Sequence, residues 1–227
     1  MEALDFEPME FDKSVLIDGG INELLFSILV NKDLKPEKFY LTGFETVCFN
    51  KDNYFAIETV LTSTLEFDSE VIILQSGDKN NRLKSICETR AINYQMIDLN
   101  QVLPNPDYIE LLLKSNHWIT HLLMSEDDMK LFSSQEMKRI GEIVKKYKIN
   151  FIYICSAMPL SLEKLVNFGV SYMIFYGSET EQKSYVVAQR SKLVQAEGKS
   201  RSRFFDLYGF WQYTLQQRKH IIEPMAV

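Results

Sequence analysis

The sequence predicts an α/β protein: a three-layer α/β/α domain whose central sheet is mainly parallel. Short runs rich in Ile, Val, Tyr and Phe alternate with longer segments whose apolar residues recur at helical spacing. Strands that alternate with helices form βαβ units, so this order indicates a parallel sheet with helices packed against it. The chain has 227 residues, of which 46% are hydrophobic, so one large domain with a sizeable core is expected.

The strands are predicted from short apolar runs that end at polar or turn-forming residues. A short helical pattern, LSLEKLVNFG, separates the fifth run from the sixth and is closed by Gly169. The predicted strands are Thr46–Phe49, Val71–Leu74, Ile92–Ile97, Trp118–Met124, Asn150–Cys155, Ser171–Tyr176 and Ser184–Ala188.

The helices are predicted from apolar positions that repeat along one face and from capping residues at the start. Asp52 or Asn53 is expected to cap the helix after the first strand, and the capping box SSQE begins another helix at Ser133. Residues 1–20 are expected to form an N-terminal arm and residues 21–227 the α/β domain. The predicted helices are Ile21–Val30, Asp52–Leu65, Asp78–Ala91, Pro106–Lys114, Ser134–Tyr147 and Phe205–Gln217.

Charge and cysteine content narrow the class of protein. The net charge is −6, so nucleic-acid binding is not indicated, and the basic segment Lys199–Arg203 is interpreted as a solvated loop rather than a small anion site. Cys48, Cys87 and Cys155 lie far apart among apolar residues, which indicates buried thiols in a reducing compartment. No apolar run reaches about 18 residues and the start lacks a signal-peptide pattern, so a cytoplasmic protein without a membrane span is expected.

Two polar groupings have residue types that bind metals, but both are interpreted otherwise. His117 and His121 fall in or beside a predicted strand, where residues four apart lie about 13 Å from each other, so one surface histidine and one packed histidine are expected. The acidic run Glu126–Asp128 follows the same strand and is interpreted as a solvated loop rather than a cation site. No metal is therefore expected.

The sheet class also predicts where a ligand would bind. In open α/β sheets the ligand lies beyond the carboxyl ends of the strands. Five loops are expected at that edge: Asn50–Asn53, Ser76–Asn80, Ser125–Met129, Cys155–Leu160 and Gly177–Lys183.

Several phrases of the chain, in this order, resemble one enzyme family. They include ETVCFNKDNYFAIETVLTSTL, EVIILQSGDKNNRLKSICETRAINY, ITHLLMSEDD, NFGVSYMIFYGS and FFDLYGFWQYTL. The chain resembles the large domain of class V (fold type I) pyridoxal-phosphate (PLP) aminotransferases, with 2-aminoethylphosphonate–pyruvate transaminases as the nearest relatives. The likeness covers most of the chain, and the order and spacing of the phrases carry it rather than any single phrase.

The resemblance implies a demanding site, and this chain departs from it. The family needs a Schiff-base lysine, a carboxylate that faces the pyridine nitrogen, and a glycine-rich phosphate loop before a helix. The lysine position falls at Glu179, and the carboxylate position falls at Ile154 or Ser156. The loop lacks the glycines and carries Asp52, which would repel a phosphate dianion. The positions of the ancestral pocket are Asp52, Asn53, Lys79, Met129, Ser156 and Ser178.

These departures predict a degenerate member of the family. We expect a non-catalytic homodimeric scaffold or small-ligand-binding protein without bound PLP. The alternative is a PLP-dependent aminotransferase acting on a small amino compound, with Lys183 or a partner subunit, such as an intact homologue, supplying the lysine. The small C-terminal domain of the family is expected to be absent. The helices Ile21–Val30 and Phe205–Gln217 would then expose apolar surface, which favours a homodimer.

Overall fold

A computed structural model describes residues 43–76, 81–101, 105–156, 162–176 and 183–222 of the protein. The expected N-terminal arm and the predicted helix Ile21–Val30 lie outside the described residues. So do Lys79, Ser178 and Glu179 of the predicted site.

The described strands form one seven-stranded sheet with the order β1-β7-β6-β5-β4-β2-β3. Neighbouring strands are parallel in four pairs, β2 with β3, β2 with β4, β4 with β5 and β5 with β6. Among the described strands, only β7 runs against its neighbours, β1 and β6. The mainly parallel sheet is therefore confirmed. The strands are β1 (Phe44–Phe49), β2 (Glu70–Gln75), β3 (Asn93–Asp98), β4 (Ile119–Ser125), β5 (Asn150–Cys155), β6 (Val170–Tyr176) and β7 (Ser184–Gln189).

Helices of the described residues connect these strands and cover the sheet. Two short ones, α4 with four residues and α7 with six, are not predicted from the sequence. The helices are α1 (Asn53–Thr64), α2 (Asn81–Thr89), α3 (Pro106–Ser115), α4 (Glu126–Met129), α5 (Ser134–Lys146), α6 (Leu162–Asn167), α7 (Arg190–Gln195) and α8 (Leu207–Ile222).

The sheet separates two hydrophobic cores, which confirms the three-layer arrangement. Alternate side chains of each strand point to opposite faces, so every buried strand contributes to both cores. One core lies between the sheet and α1, α2, α7 and α8, and includes Val60, Ile73 and Phe210. The other lies between the sheet and α3, α4, α5 and α6, and includes Ile72 and Ile140.

Local capping explains where the best-predicted helices begin. The Asp52 carboxylate accepts a hydrogen bond from the backbone N–H of Phe55 at 3.0 Å, as an N-cap does. At the start of α5, Ser133 Oγ accepts from the Glu136 N–H and the Glu136 carboxylate accepts from the Ser133 N–H. This is the predicted capping box, and it satisfies two donors that the helix itself leaves free.

The expected exposure of the last helix is wrong. Leu207, Phe210 and Trp211 of α8 are at most 2% exposed and pack into the core that α1 shares. The helix keeps these partners because it lies against α1 and β1 of its own chain. Its apolar stripe therefore gives no argument for a dimer.

Candidate functional site

The candidate site lies where the carboxyl ends of the strands meet the beginning of α1. β1 ends at Phe49, and the chain turns through three residues into α1. The first residue of β7, Ser184, is paired both with Phe49 and with Tyr176, the last residue of β6. The start of α1 thus adjoins the edge at which the sheet class predicted a ligand.

Asp52 is the central charged group of this edge. One carboxylate oxygen caps α1, and the other accepts a hydrogen bond from Arg82 Nη2 at 3.0 Å. The start of a helix attracts anions because its first N–H groups and its dipole both point outward. Here the protein's own carboxylate takes that place, and the Arg82 guanidinium balances its charge.

Two contacts orient the Arg82 side chain. Its guanidinium carbon lies 4.0 Å from the centre of the Tyr54 ring, a cation–π distance, while the Asp52 bond holds its edge. A guanidinium has five N–H donors in a rigid plane, so one bond to Asp52 leaves others for a second partner. Arg82 is not predicted from the sequence, because a single arginine at the start of a helix forms no recognisable pattern.

Tyr176 belongs to the same group. The pKa of its phenol is raised, first by burial and then by the nearby Tyr54 and Asp52, while Arg82 acts in the opposite direction. Tyr176, the last residue of β6, is therefore close enough to Asp52 and Arg82 for their charges to act on its phenol. The group therefore joins the sheet edge to α1 and α2.

An open pocket of about 670 Å³ adjoins this group. That size suits a small molecule, for which protein pockets typically measure about 300–1,000 Å³. Its lining combines cations, carboxylates and apolar rings, and includes Lys51, Asp52, Tyr54, Phe55, Arg82 and Ile86.

Three buried polar side chains at the same edge have an oxygen for which the part of the chain that the structure describes offers no hydrogen-bond partner. They are Asn53 at the start of α1, Gln75 at the end of β2 and Ser184 at the start of β7. Gln75 lies two residues after Ile73, and Ser184 lies two residues before Val186. Residues two apart on a strand point to the same face of the sheet, so both side chains face the core that α1 covers. A buried polar atom without a partner costs about 1–3 kcal/mol. Asn150 Oδ1 and Trp211 Nε1, elsewhere among the described residues, also have none, so this feature is not confined to one edge of the sheet.

The other predicted pocket residues do not join this group. Met129 ends α4 and packs into the core on the opposite face of the sheet. Ser156 is exposed and donates a hydrogen bond to the Glu126 carboxylate at 3.3 Å. Ile154, where the family carboxylate could fall, is partly buried against the core beneath α1. Lys183 precedes β7 at the same edge of the sheet and is half-buried.

The acidic run after β4 is not simply a solvated loop. Asp128 is only 3% exposed, and its carboxylate accepts hydrogen bonds from the Ser76 N–H at 2.7 Å and the Ser76 hydroxyl at 2.8 Å. Ser125, which caps α4, also donates to it. Asp128 therefore ties the end of β2 to the end of β4, and Glu126 and Asp127 remain nearer the solvent.

The basic segment before α8 has a structural role. Arg201 donates hydrogen bonds to the carbonyl oxygens of Leu65, Glu66 and Ala91. These carbonyls follow the ends of α1 and α2, where helices leave acceptors unpaired. Arg201 therefore fastens two helix ends, which neither the loop nor the anion-site interpretation foresaw.

The remaining candidate groups of the described residues offer no second site. Burial raises the pKa of the Cys87 and Cys155 thiols to about 12, so neither forms a reactive thiolate at neutral pH. His121 is buried and His117 is exposed, as predicted. Among the described residues there is no cluster of three metal-ligating side chains, and no helix there is long and apolar enough to span a bilayer.

Comparison with solved structures identifies the fold. The chain superposes on a ureidoglycine–glyoxylate aminotransferase from Bacillus subtilis with a TM-score of 0.60 and 17% identity, covering 96% of this chain and 66% of that one. An alanine–glyoxylate aminotransferase from Nostoc sp. gives a TM-score of 0.58 and 12% identity, covering 98% and 71%. The fold is that of the large domain of PLP-dependent transferases, as predicted.

Sequence comparison finds relatives among the aminoethylphosphonate transaminases. The chain is 25% identical over 181 residues to the 2-aminoethylphosphonate–pyruvate transaminase of Klebsiella pneumoniae, covering 75% of this chain and 48% of the relative. It is 23% identical over 184 residues to a bifunctional phosphonoacetaldehyde hydrolase/aminoethylphosphonate transaminase of Clostridioides difficile, covering 74% and 27%. No family model matches the chain. These transaminases are distant homologues, so the predicted resemblance is confirmed, although the chain spans half their length or less.

The described residues do not fit the coenzyme that the resemblance implies. A phosphate at the start of α1 would meet the Asp52 carboxylate, which already takes the Phe55 N–H. Of the two residues that the resemblance assigns to the pyridine nitrogen, Ile154 has no charge, and Ser156 is exposed and donates a hydrogen bond to Glu126. At the residues that the resemblance assigns to the pyridine nitrogen, the described part of the chain thus supplies no carboxylate.

Proposed function

We propose that the protein is an aminotransferase-like protein without transaminase activity, which binds a small ligand in the pocket beside α1. The observation that carries the proposal is the Asp52–Arg82 pair at the start of α1. An internal carboxylate there competes with any external phosphate for the same N–H donors. Glu179 at the family lysine position, which lies outside the described residues, would also leave no amine for a Schiff base.

The open pocket of about 670 Å³ beside α1 supports ligand binding rather than a purely structural role, because its size suits a small molecule. The unpaired buried oxygens of Asn53, Gln75 and Ser184 do not line this pocket and give it no separate support.

The alternative is an aminotransferase that uses PLP in an unusual way, acting on a small amino compound. The similarity to transaminases and the position of Lys183 at the carboxyl edge of the sheet favour it. A partner subunit, such as an intact homologue, could also supply the lysine. Co-purification from the native cells would detect such a partner by mass spectrometry.

Addition of PLP to the pure protein is expected to produce no internal aldimine. The measurement is an absorption scan for a band near ~420 nm, which a Schiff base with an activated lysine gives. The matched variants are Lys183→Ala and Lys145→Ala, the second an exposed lysine of α5 far from the pocket. A band that disappears only in Lys183→Ala would contradict the non-catalytic proposal and establish the alternative.

We further propose that the protein is a cytoplasmic homodimer. The resemblance supports this, because fold type I enzymes form their sites at a subunit interface. Exposed aromatic side chains such as Phe67, Trp118 and Phe204 offer apolar contact area. Sedimentation velocity is expected to show a species of twice the 26.5 kDa chain mass, and a monomer at all concentrations would contradict the proposal.

A further inference from the structure

The pocket beside α1 carries a charge pattern from which the class of its ligand can be inferred. Two of its lining groups are carboxylates, but each has a cation of its own. Asp52 is paired with Arg82, and the Glu58 carboxylate is paired with Arg90. Neither carboxylate is therefore left to attract a cationic ligand.

Lys51 is the lining charge that remains. It is exposed, and it forms no ion pair with any residue that the structure describes. The lining has two cations, Lys51 and Arg82, and two carboxylates. Arg90 pairs with Glu58 from outside the lining, so the neighbourhood of the pocket carries three cations against two carboxylates. Such an arrangement favours a ligand with one anionic group.

The planar guanidinium of Arg82 favours an anionic group that is also planar. The Tyr54 ring at 4.0 Å and the Asp52 bond at 3.0 Å orient the guanidinium plane, while the Arg82 side chain stays 60% exposed and accessible to a ligand. A planar guanidinium matches a planar carboxylate through two parallel N–H···O bonds. The neighbouring Tyr54, Phe55 and Ile86 side chains present rings and methyl groups to the rest of the ligand.

We propose that this pocket binds small carboxylates with an apolar or aromatic body, held by Arg82 and Lys51 and packed against Phe55 and Ile86. This proposal rests on the ligand-binding function proposed above and names the ligand class. The role of Arg82 follows from its contacts in this chain and not from any position assigned by the resemblance.

The test is a calorimetric titration of the whole protein with benzoate as the probe. Saturable binding with a dissociation constant near or below about 1 mM is expected. Benzamide has the same ring without the charge, and inorganic phosphate has charge without the ring. Both are expected to bind at least about tenfold more weakly than benzoate.

Variants locate the site. Arg82→Gln is expected to weaken benzoate binding about tenfold or more, because a charge-assisted pair is lost and Asp52 is left facing the ligand. Lys51→Gln, a change at an exposed position that leaves the fold intact, is expected to weaken it about threefold. Arg139→Gln is the control, since Arg139 has a similar exposure, 50% against 60%, but lies on the other side of the sheet.

Three results would overturn the proposal: no saturable benzoate binding, equal binding of benzamide or phosphate, or equal binding by Arg82→Gln and Arg139→Gln. Its failure is distinct from failure of the non-catalytic function. A PLP aldimine band with benzoate binding intact would remove only the non-catalytic proposal. Absence of both the band and benzoate binding would remove only the ligand class.

Discussion

Replacement of Gly169 by alanine is expected to destabilise the protein by about 2–5 kcal/mol. Gly169 follows α6 with φ +79°, in the left-handed region that costs other L-residues about 1–2 kcal/mol. A Cβ there would also lie 2.7 Å from Val144 Cγ2 and 3.3 Å from Gly141 Cα. Overpacking of this kind adds about 1–3 kcal/mol, because the added Cβ would also lie 3.2 Å from the backbone oxygen of Gly141 in α5. Urea unfolding would measure the change.

Gly198→Ala is the matched control, because Gly198 has a similar φ of +68° but a Cβ added there would meet no atom within 4 Å. It is expected to cost only the backbone strain, about 1–2 kcal/mol. Val144→Ala removes the methyl group that crowds Gly169, so the two changes together should cost less than their sum. Equal losses in Gly169→Ala and Gly198→Ala would show that crowding at α5 contributes nothing.

The fold can be predicted because its signals are local and repeated. Each of the seven strands lies within a few residues of its predicted position, and Asp52 and the Ser133 capping box mark the starts of α1 and α5. The predicted turn at Gly169 is also present. The reversed direction of β7 is not predicted, since apolar alternation is the same for parallel and antiparallel strands in a buried position.

The candidate site is predicted less completely, because its contacts join residues that are distant in the chain. The sequence indicates that Asp52 would repel a phosphate, but not that Arg82, thirty residues later, neutralises it. Likewise, Asp128 is one of three apparently equivalent acids until the fold brings Ser76, 52 residues away, within hydrogen-bond distance. Charge patterns predict which groups are present at a sheet edge, while the fold determines which of them are paired.

The same distinction explains why the exposure of the apolar helix α8 is wrongly predicted. Its stripe of Leu207, Phe210 and Trp211 is a packing face, as the sequence indicates. Helical spacing shows that a face is apolar but does not identify what covers it. In the fold, α1 and β1 of the same chain do so.

Acidification below pH 6.5 is expected to destabilise the protein through one histidine. His121 in β4 is 1% exposed; Asn150 Nδ2 donates to its Nε2 at 3.1 Å, and its Nδ1 lies 2.8 Å from Thr120 Oγ1. Both ring nitrogens are thus satisfied in the neutral form. Burial, followed by the charges of Lys192 and Lys199, lowers the His121 pKa to about 3.

The direction of the effect follows from proton linkage. Between pH 6.5 and about 3 the unfolded chain binds a proton at His121 and the folded protein does not, so stability falls as the pH falls. One proton corresponds to about 1.4 kcal/mol for each pH unit. Above pH 6.5 both states are neutral at this position, and the contribution no longer changes.

Urea unfolding of the protein and of His121→Gln between about pH 7.5 and 4.5 isolates the contribution of His121. The two proteins have the same carboxylates, so the titration of those groups cancels in the comparison. The slope of unfolding free energy against pH is expected to be smaller in His121→Gln by about 1.4 kcal/mol per pH unit below about pH 6. His117→Gln is the control, since His117 is exposed and should leave the slope unchanged. Parallel curves for the protein and His121→Gln would mean that His121 takes up its proton in the folded state.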